Sequence, residues 1–455
     1  MSDAPPAPDI HRLDVDSFGE MVDYLNETEL LNLAGFDTHI NNLCGHIYRN
    51  RYSCIRHDLH SDILSVFPNH VRSYCMYSQW EFEYTGIFLK LTSVRSLAIQ
   101  RNIVITYWYL NAMKSMLQNV EDLFCSYNFL HFIGTESKLS LWLPSMKRLH
   151  LICGAEDTDL LCLPSTLTCL WISIPNNVTA VDHLYKTLAD NRNINTFVFT
   201  GPVKNLQLFH SKTQDDILHA KGYDQTPVCL ENFVLYIDSE IDADKIETVL
   251  NIYRMGKFKN LFIHCQISQS VTLMTNLKSC LTGLSLQGRY IRDHPEQIHP
   301  TLESTISRVN NEQRALKNFV NLTQLTLMFF PYTHCLLQAT SELKKLRTLC
   351  MYVRSDELEL CLKTVLQNAT IEVIIVKSYG HDSFTVKNWY LNLKALNELR
   401  SKVFSFLDKT VDIYVPEQIY VNTKWALKGD TLCKFVRLRR NSSLISNNFV
   451  KQFSF

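Results

Sequence analysis

Glycine is scarce in this sequence, with 13 among 455 residues, and the glycines are dispersed along the chain. Nucleotide-binding loops need clustered glycines, because the backbone has to approach the phosphates closely. The sequence also contains no nucleophile elbow and no His-Glu-x-x-His pair. These absences favour a binding protein over an enzyme, with no catalytic residue in this chain. An enzyme without a recognisable motif stays an alternative, and it would require a pocket with convergent polar groups.

An excess of charge of either sign is also absent. Lys and Arg together number 45, Asp and Glu together number 45, and the formal net charge is zero. A dedicated nucleic-acid-binding protein normally carries a basic excess that displaces the counterions of the phosphates. We therefore do not expect nucleic acid as the partner.

Long apolar runs and regular cysteine spacings are missing as well. The longest apolar runs, such as TLMFF and VIIV, fall far short of the roughly 20 residues that cross a membrane. Residues 1–8 have neither the basic start nor the apolar core of a signal peptide. The 14 cysteines follow no framework and mostly lie in apolar runs, which indicates reduced thiols. We expect a cytoplasmic or nuclear protein that does not contact a membrane.

One pair of histidines gives a weak hint of a metal site. His57 and His60 lie three residues apart, close to Cys54, and could share a helix face. No fourth ligand follows at a usual spacing, and no Cys-x-x-Cys pair occurs. We therefore expect neither a metal nor a cofactor.

The stretch from Leu13 to Ile47 predicts three short helices in succession. Ser17 with Glu20 fits a capping box, Asn26 with Glu29 repeats the signal, and Asp37 opens the third helix. Apolar residues follow each cap at helical spacing. A trio of this size is too small to bury all of its leucines, so some apolar surface should remain for a partner.

These residues resemble an F-box. The resemblance covers about a tenth of the chain and rests on Leu13, Asp16, Met21, Tyr24, Leu25, Glu29, Leu30, Leu33, Ala34 and Phe36. The sequence departs from the family at three places, having Leu13-Asp14 for Leu-Pro, Asp37-Thr38 for Cys-Lys/Arg, and Ile40 for a bulkier residue. The resemblance implies docking to the Skp adaptor and, through it, to a cullin scaffold. By the same resemblance the docking surface would consist of Leu13, Met21, Leu25, Leu30 and Leu33. The alternative is an ordinary helical cap on the following domain.

A second pattern, apolar-x-x-apolar-x-apolar, recurs twelve times after this module. Nine of the eleven steps between copies fall in the range of 20–29 residues that leucine-rich repeats have. The middle residues of the copies are Tyr74, Leu97, Leu123, Leu149, Leu170, Phe197, Phe233, Leu261, Leu284, Leu325, Leu349 and Ile374. Each copy predicts one short strand, and stacked copies predict a curved parallel sheet with helices or loops on the convex side. A conventional α/β domain is the rival interpretation.

The fullest copy is Leu117–Leu130, in which Asn128 stands at the position of the asparagine ladder. Trp108 to Leu117 predicts a helix on the convex side, and residues 386–407 predict a longer one. Val411, Ile413 and Val415 predict a last strand. The basic run Lys434–Arg440 is interpreted as a solvated tail, with contact to phosphate or an import receptor as the alternative.

The predicted class is α/β, an F-box-like three-helix module followed by an irregular leucine-rich-repeat solenoid. The predicted divisions are a disordered N-terminus at 1–10, the F-box-like module at 11–52, a helical bridge at 53–66, the solenoid of about twelve repeats at 67–415 with insertions near 204–227 and 289–317, and a C-terminal cap or tail at 416–455. Insertions of this kind map to loops that often bind partners; a solvated insertion without a role is the alternative.

The residues beside each buried pair should point to the concave face. Exposed aromatic, Arg and Met side chains there would have the composition of a binding hot spot. This interpretation predicts a substrate-binding surface formed by Phe124, Arg148, His150, Trp171, Asn232, Tyr236, Asn260, Phe262, His264, Met328 and Tyr352. Packing against the chain's own C-terminal tail is the alternative.

With the F-box resemblance, the sequence predicts the substrate-recognition subunit of a Skp–cullin–F-box ubiquitin ligase, whose protein target is unknown. Three alternatives stay open: a non-degradative scaffold of the kinetochore type, a leucine-rich GTPase regulator, and a standalone repeat protein that binds partners without the adaptor.

Overall fold

The structure is a computed structural model, and it describes most of the chain in separate stretches. The described residues are 15–22, 25, 27–51, 55–56, 61–76, 86–100, 103–104, 106–136, 139–153, 163–174, 191, 193–201, 230–240, 247, 249, 259–267, 276–288, 302–328, 333–353, 357–378, 391–403, 410–416, 419–420, 423 and 436–441. Residues 1–10, Leu13, Cys54, His57, His60 and the insertion at 204–227 lie outside them, so the expectations for these positions stay predictions.

Fifteen strands form one sheet in the described part of the chain. They are β1 (Ile55–Arg56), β2 (Ser73–Met76), β3 (Ser96–Ile99), β4 (Asp122–Ser126), β5 (Arg148–Ile152), β6 (Cys169–Ser173), β7 (Thr196–Thr200), β8 (Asn232–Glu240), β9 (Asn260–Ile267), β10 (Leu281–Gly288), β11 (Gln324–Met328), β12 (Thr348–Val353), β13 (Val373–Ser378), β14 (Val411–Pro416) and β15 (Val436–Asn441). Each strand pairs in parallel with the next one in the sequence, from β1 to β15. A sheet in this order is the solenoid that the repeat pattern predicts.

Helices lie between strands and at the N-terminus. They are α1 (Val15–Met21), α2 (Glu27–Ala34), α3 (Thr38–Arg51), α4 (Ser61–Val66), α5 (Tyr107–Leu117), α6 (Tyr127–Glu136), α7 (Leu139–Trp142), α8 (Leu302–Lys317), α9 (Thr333–Gln338), α10 (Leu358–Val365) and α11 (Leu393–Val403). The α/β class is thus confirmed. No helix of the described residues has the length and apolar character needed to cross a membrane.

The twelve copies of the pattern coincide with β2 to β13, and their middle residues form the spine of the core. Each of these side chains is between 0 and 3% exposed. In α5, Leu110, Met113 and Leu117 pack into the same core, whereas Trp108 is exposed. No single repeat could bury such a face, so stacking on the neighbouring repeats supplies the hydrophobic stabilisation.

Among the described strands the sheet changes register between β8 and β9, after Ile237, and between β9 and β10, where the change affects the repeat pattern. The sequence pattern aligns Leu261 with Leu284, but the structure pairs Leu284 with Ile263. Gly283 lies opposite Phe262 at this point, and a Cβ built on Gly283 would overlap the Phe262 ring. Glycine therefore allows the aromatic ring to lie against the backbone of the next strand.

Polar side chains link successive repeats before the strands begin, not after them. Asn119 Nδ2 donates to the carbonyl of Thr92 (3.3 Å), and Asn321 Nδ2 donates to the carbonyl of Ser279 (3.0 Å). The predicted ladder residue Asn128 instead lies exposed in α6. That prediction is wrong because the chain enters a helix directly after β4, which leaves no loop for a ladder.

Three further segments differ from the sequence interpretation. The 289–317 insertion, taken as a loop, contains α8, and the bridge at 53–66 contains β1 as well as α4. The basic run is not a solvated tail: its residues from Val436 onward form β15, paired with β14. Val436 and Leu438 are buried there, which is the alternation of a strand with one face in the core.

Candidate partner-binding surfaces

The three N-terminal helices pack through one apolar face. Asp37 Oδ1 accepts a hydrogen bond from the Ile40 backbone N–H (2.9 Å), so the predicted cap of α3 is confirmed. The capping box at Ser17 is wrong, because α1 has already begun at Val15. Phe18 is fully buried and belongs to the same core as the solenoid.

The described docking candidates lie in different environments. Met21 is 58% exposed. Phe36, which carries the resemblance but was not part of the predicted docking surface, lies just beyond α2 and is 77% exposed. Leu25 and Leu33 are half-buried and pack against the core. Leu30 is fully buried, so the prediction that it offers docking surface is wrong: it faces the core inside α2 and no partner can reach it. The accessible apolar surface therefore centres on Met21 and Phe36.

The concave face carries a stack of rings that runs from strand to strand. His150 lies parallel to Trp171, with ring centroids 3.9 Å apart, and meets Phe124 edge-on at 4.5 Å. Trp171 in turn stacks on Tyr236 at 5.1 Å, and Tyr236 lies 4.9 Å from His264. Neighbouring strands are separated by about 4.8 Å, which is close to the spacing of stacked rings. Paired positions on neighbouring strands therefore bring Phe124, His150 and Trp171 together, and likewise Tyr236 and His264, whereas the Trp171–Tyr236 contact passes across β7.

Burial separates the predicted concave-face residues into two groups. His150, Trp171, Tyr236 and Phe262 are 4–7% exposed, so the expectation of exposed side chains is wrong for these four. The last three form a second apolar cluster with two valines of the same face. The accessible members are half-buried: Phe124, Arg148, Asn232, Asn260, His264, Met328 and Tyr352.

Polar groups accompany the rings along the starts of the strands. Asn260 Nδ2 donates to Asn232 Oδ1 (2.8 Å), and Asn232 Nδ2 donates to Thr196 Oγ1 (3.0 Å). Arg148 donates to both carboxylate oxygens of Asp122, and this bonding raises the pKa of Arg148. These contacts fix the side chains of the face before any partner arrives, which lowers the entropic cost of binding.

Burial also holds two histidines of this face in the neutral form. It lowers the pKa of His150 to about 3 and that of His264 to about 4, from an ordinary value of 6.5. His150 Nε2 and His264 Nδ1 are hydrogen-bonded to Ser173 Oγ and Ser285 Oγ, at 2.7 and 2.8 Å. Protonation would therefore place a charge inside the aromatic stack.

We expect stability to fall as the pH drops from about 6.5 to about 4. In this window the unfolded chain binds protons at these histidines and the folded chain does not, so each lowers the free energy of unfolding by up to about 1.4 kcal/mol per pH unit. Urea denaturation at stepped pH measures the slope. The double variant His150→Gln, His264→Gln should have a shallower slope; an unchanged slope would contradict the prediction.

The last strands add a charged group that the sequence interpretation missed. Asp412 of β14 pairs with Arg437 and Arg439 of β15, and Lys377 of β13 lies over the Tyr352 ring at 5.5 Å. Alternation of Val436 and Leu438 with the arginines was the signal for a strand. Among the described residues no group of three or more His, Cys, Asp or Glu could hold a metal.

The arrangement as a whole defines a parallel solenoid with one strand per repeat, the architecture of leucine-rich-repeat proteins. The sequence matches no protein-family model, and no curated protein matches it. Among solved structures the chain is similar to one titled as the crystal structure of a TLR13–ssRNA13 complex, with 10% identity and a TM-score of 0.25. The match covers 78% of this chain and 62% of that one, so this chain spans less than two thirds of that chain's length.

Proposed function

We propose that this chain is the substrate-recruiting subunit of a Skp–cullin–F-box ubiquitin ligase. In this proposal the N-terminal helices dock to the Skp adaptor, and through it to a cullin, while the solenoid binds the protein to be modified. The chain itself carries no catalytic residue. It acts in the cytoplasm or nucleus by holding its target close to the ubiquitin-charged enzyme, so that proximity raises the rate of transfer.

The exposure of Met21 and Phe36 is the observation that carries this proposal. Contiguous exposed apolar patches mark interaction sites, and in this proposal Met21 and Phe36 belong to such a patch on the helical module. The resemblance to an F-box supplies the identity of the partner.

The geometry of the solenoid supports the recognition half of the proposal. Its concave face is a continuous parallel sheet whose side chains are fixed by stacking and hydrogen bonds. Half-buried aromatic, Arg and Met side chains on a rigid surface have the composition of protein-binding sites. The same face offers room for an extended partner along many repeats.

Charging the exposed apolar residues of the N-terminal helices should abolish adaptor binding. We expect the Met21→Asp, Phe36→Asp variant to bind the purified Skp adaptor at least about a hundredfold more weakly, because each carboxylate would be buried unpaired in the interface. Co-purification and calorimetry measure the loss. Leu360→Asp is the matched control, since Leu360 is 51% exposed on α10 within the solenoid, and it should bind like the wild type.

The wild type distinguishes the remaining possibilities. A wild-type chain that does not bind the adaptor would exclude the ligase function and leave a standalone repeat protein or a GTPase regulator. The chain could instead form a stable complex with the adaptor while the levels of its bound partner proteins stay constant when the chain is removed from cells. That result would favour a scaffold over a degradative receptor.

A further inference from the structure

The C-terminal end of the concave face carries a paired guanidinium site. The Nε atoms of Arg437 and Arg439 lie 3.0 and 3.4 Å from the same carboxylate oxygen, Asp412 Oδ1. Val436 and Leu438 are buried on the opposite side of β15, so the two arginines share the concave face. One carboxylate therefore holds two cations side by side.

Most of the donors of these two arginines remain available. Each guanidinium contacts Asp412 through Nε, and within the described residues the structure gives the four Nη groups no acceptor. The arginine side chains are 53% and 43% exposed, against 26% for Asp412. The donors of a fixed guanidinium suit bidentate recognition of a carboxylate.

The charge of the surrounding surface is positive. The concave-facing positions of β11 to β15 contain Lys377, Arg437 and Arg439 but a single acidic side chain, Asp412. Lys377 has no ion pair with a described residue, and its ammonium group lies over the Tyr352 ring. Tyr414 stands between Ile375 and Arg439 in the register. Three cations beside two tyrosines thus face one anion.

We propose that this surface binds an acidic, extended segment of a partner protein. Lys377 lies two strands from Arg439 and two residues further along, about 10 Å across and about 7 Å along the sheet. The two offsets together give a distance of about 12 Å between the backbone positions, and carboxylates four residues apart on an extended chain are separated by about 13 Å. Such a segment would pair one carboxylate with the arginines and another with Lys377, with its backbone against the tyrosines.

An acidic peptide fits this surface better than a nucleic acid does. Nucleic-acid binding draws on many phosphate contacts and an overall basic charge, whereas this chain has 45 basic and 45 acidic residues. The cluster is local and contains few cations. It matches a ligand with two or three negative charges.

This inference deepens the proposed function, since it names the chemistry of the target that the solenoid recognises. It can also be tested without the adaptor, so the two proposals can fail separately. A chain that binds the adaptor but no acidic peptide would overturn this inference alone. A chain with the reverse behaviour would overturn the ligase proposal alone.

The test uses the full chain and a short fluorescein-labelled peptide in which glutamate alternates with serine. We expect the peptide to bind, binding to weaken as salt is added, and the Arg437→Gln, Arg439→Gln variant to bind at least about tenfold more weakly. The control double variant Lys259→Gln, Arg347→Gln removes the same charge at exposed positions just before β9 and β12, where both residues already have acidic partners. It should change the affinity by less than about twofold.

Three results would overturn the proposal. The first is no peptide binding by the wild type, and the second is equal affinity for the matching peptide with glutamine in place of glutamate. The third is a single-stranded RNA of similar length that binds more tightly than the peptide, which would assign the cluster to nucleic acid.

Discussion

Replacing Arg400 with methionine is expected to lower the free energy of unfolding by about 3–5 kcal/mol. Arg400 lies on α11 and is fully buried. Its guanidinium donates to the backbone carbonyls of Leu366 (2.8 Å) and Asn368 (2.6 Å) through Nη1, and to that of Ile371 (2.8 Å) through Nη2. Methionine would fill the space but leave these carbonyls without their donor.

The position of the carbonyls explains how a buried cation is tolerated. The carbonyl of Leu366 directly follows α10, near the negative end of the helix dipole, and those of Asn368 and Ile371 lie in the segment that leads to β13. Burial lowers the pKa of Arg400 only to about 10, so the side chain stays charged at neutral pH. The bond set also ties α11 to the preceding repeat, next to Asn368, whose amide donates to the carbonyls of Thr340 and Leu343.

Two comparisons isolate this effect in guanidinium denaturation followed by circular dichroism. Lys402→Met changes an exposed cation on the same helix and should alter the free energy of unfolding by less than about 0.5 kcal/mol. Arg400→Lys should recover only part of the loss, because one ammonium cannot reach the three well-separated carbonyls. An Arg400→Met chain as stable as the Lys402→Met chain would refute this account.

The positions of the repeats could be predicted because every stacked copy must bury one face of its strand. A strand buried on one face needs apolar residues at alternate positions, so Leu123 and Ile374 stand in equivalent places despite the distance between them. β14 followed from the same alternation in Val411, Ile413 and Val415. β15, which contains Arg437 and Arg439, was harder to predict because arginines on the open face of a strand look like a solvated basic run.

What the pattern could not supply was the depth of side chains on the concave face. Alternation assigns Trp171 to that face, but whether a ring stands in solvent depends on its neighbours one strand away. For Trp171 those neighbours are His150 and Val198, which lie 21 and 27 positions away in the sequence. The spacing of repeats gives the strand order, yet ring-on-ring stacking depends on side-chain torsions that a sequence does not specify.

The sequence predicted the N-terminal module only in part, for the same reason. Helical spacing identified the apolar face correctly for Ile40 and Leu43, which are both buried. The same spacing cannot distinguish an apolar residue that faces the core from one reserved for a partner, so Leu30 and Met21 received the same prediction. Packing of α2 against α3 makes the distinction, and it places Leu30 inside.

Replacing Phe197 with alanine is expected to lower the free energy of unfolding about as much as replacing Arg400 with methionine does. Phe197 lies in an earlier repeat than Arg400. Phe197 is fully buried in β7 and lies parallel to the Phe233 ring of β8, with centroids 5.9 Å apart. Deleting a buried ring removes its contacts and leaves a cavity, which costs about 3–5 kcal/mol. Phe197 pairs with Leu170 of β6 on one side and with Phe233 of β8 on the other.

The form of the unfolding curve should change as well, because a repeat contacts only its neighbours and stability is close to a sum over repeats and interfaces. Weakening the β7–β8 interface in Phe197→Ala should allow one side of the array to unfold before the other, so we expect a single denaturant transition to broaden or split. Trp108→Ala is the control: it removes a larger ring that is 62% exposed and should cost less than about 1 kcal/mol with the shape of the curve unchanged. Equal effects of the two truncations, measured by circular dichroism and by hydrogen exchange on either side of β7, would mean that the solenoid does not transmit stability from repeat to repeat.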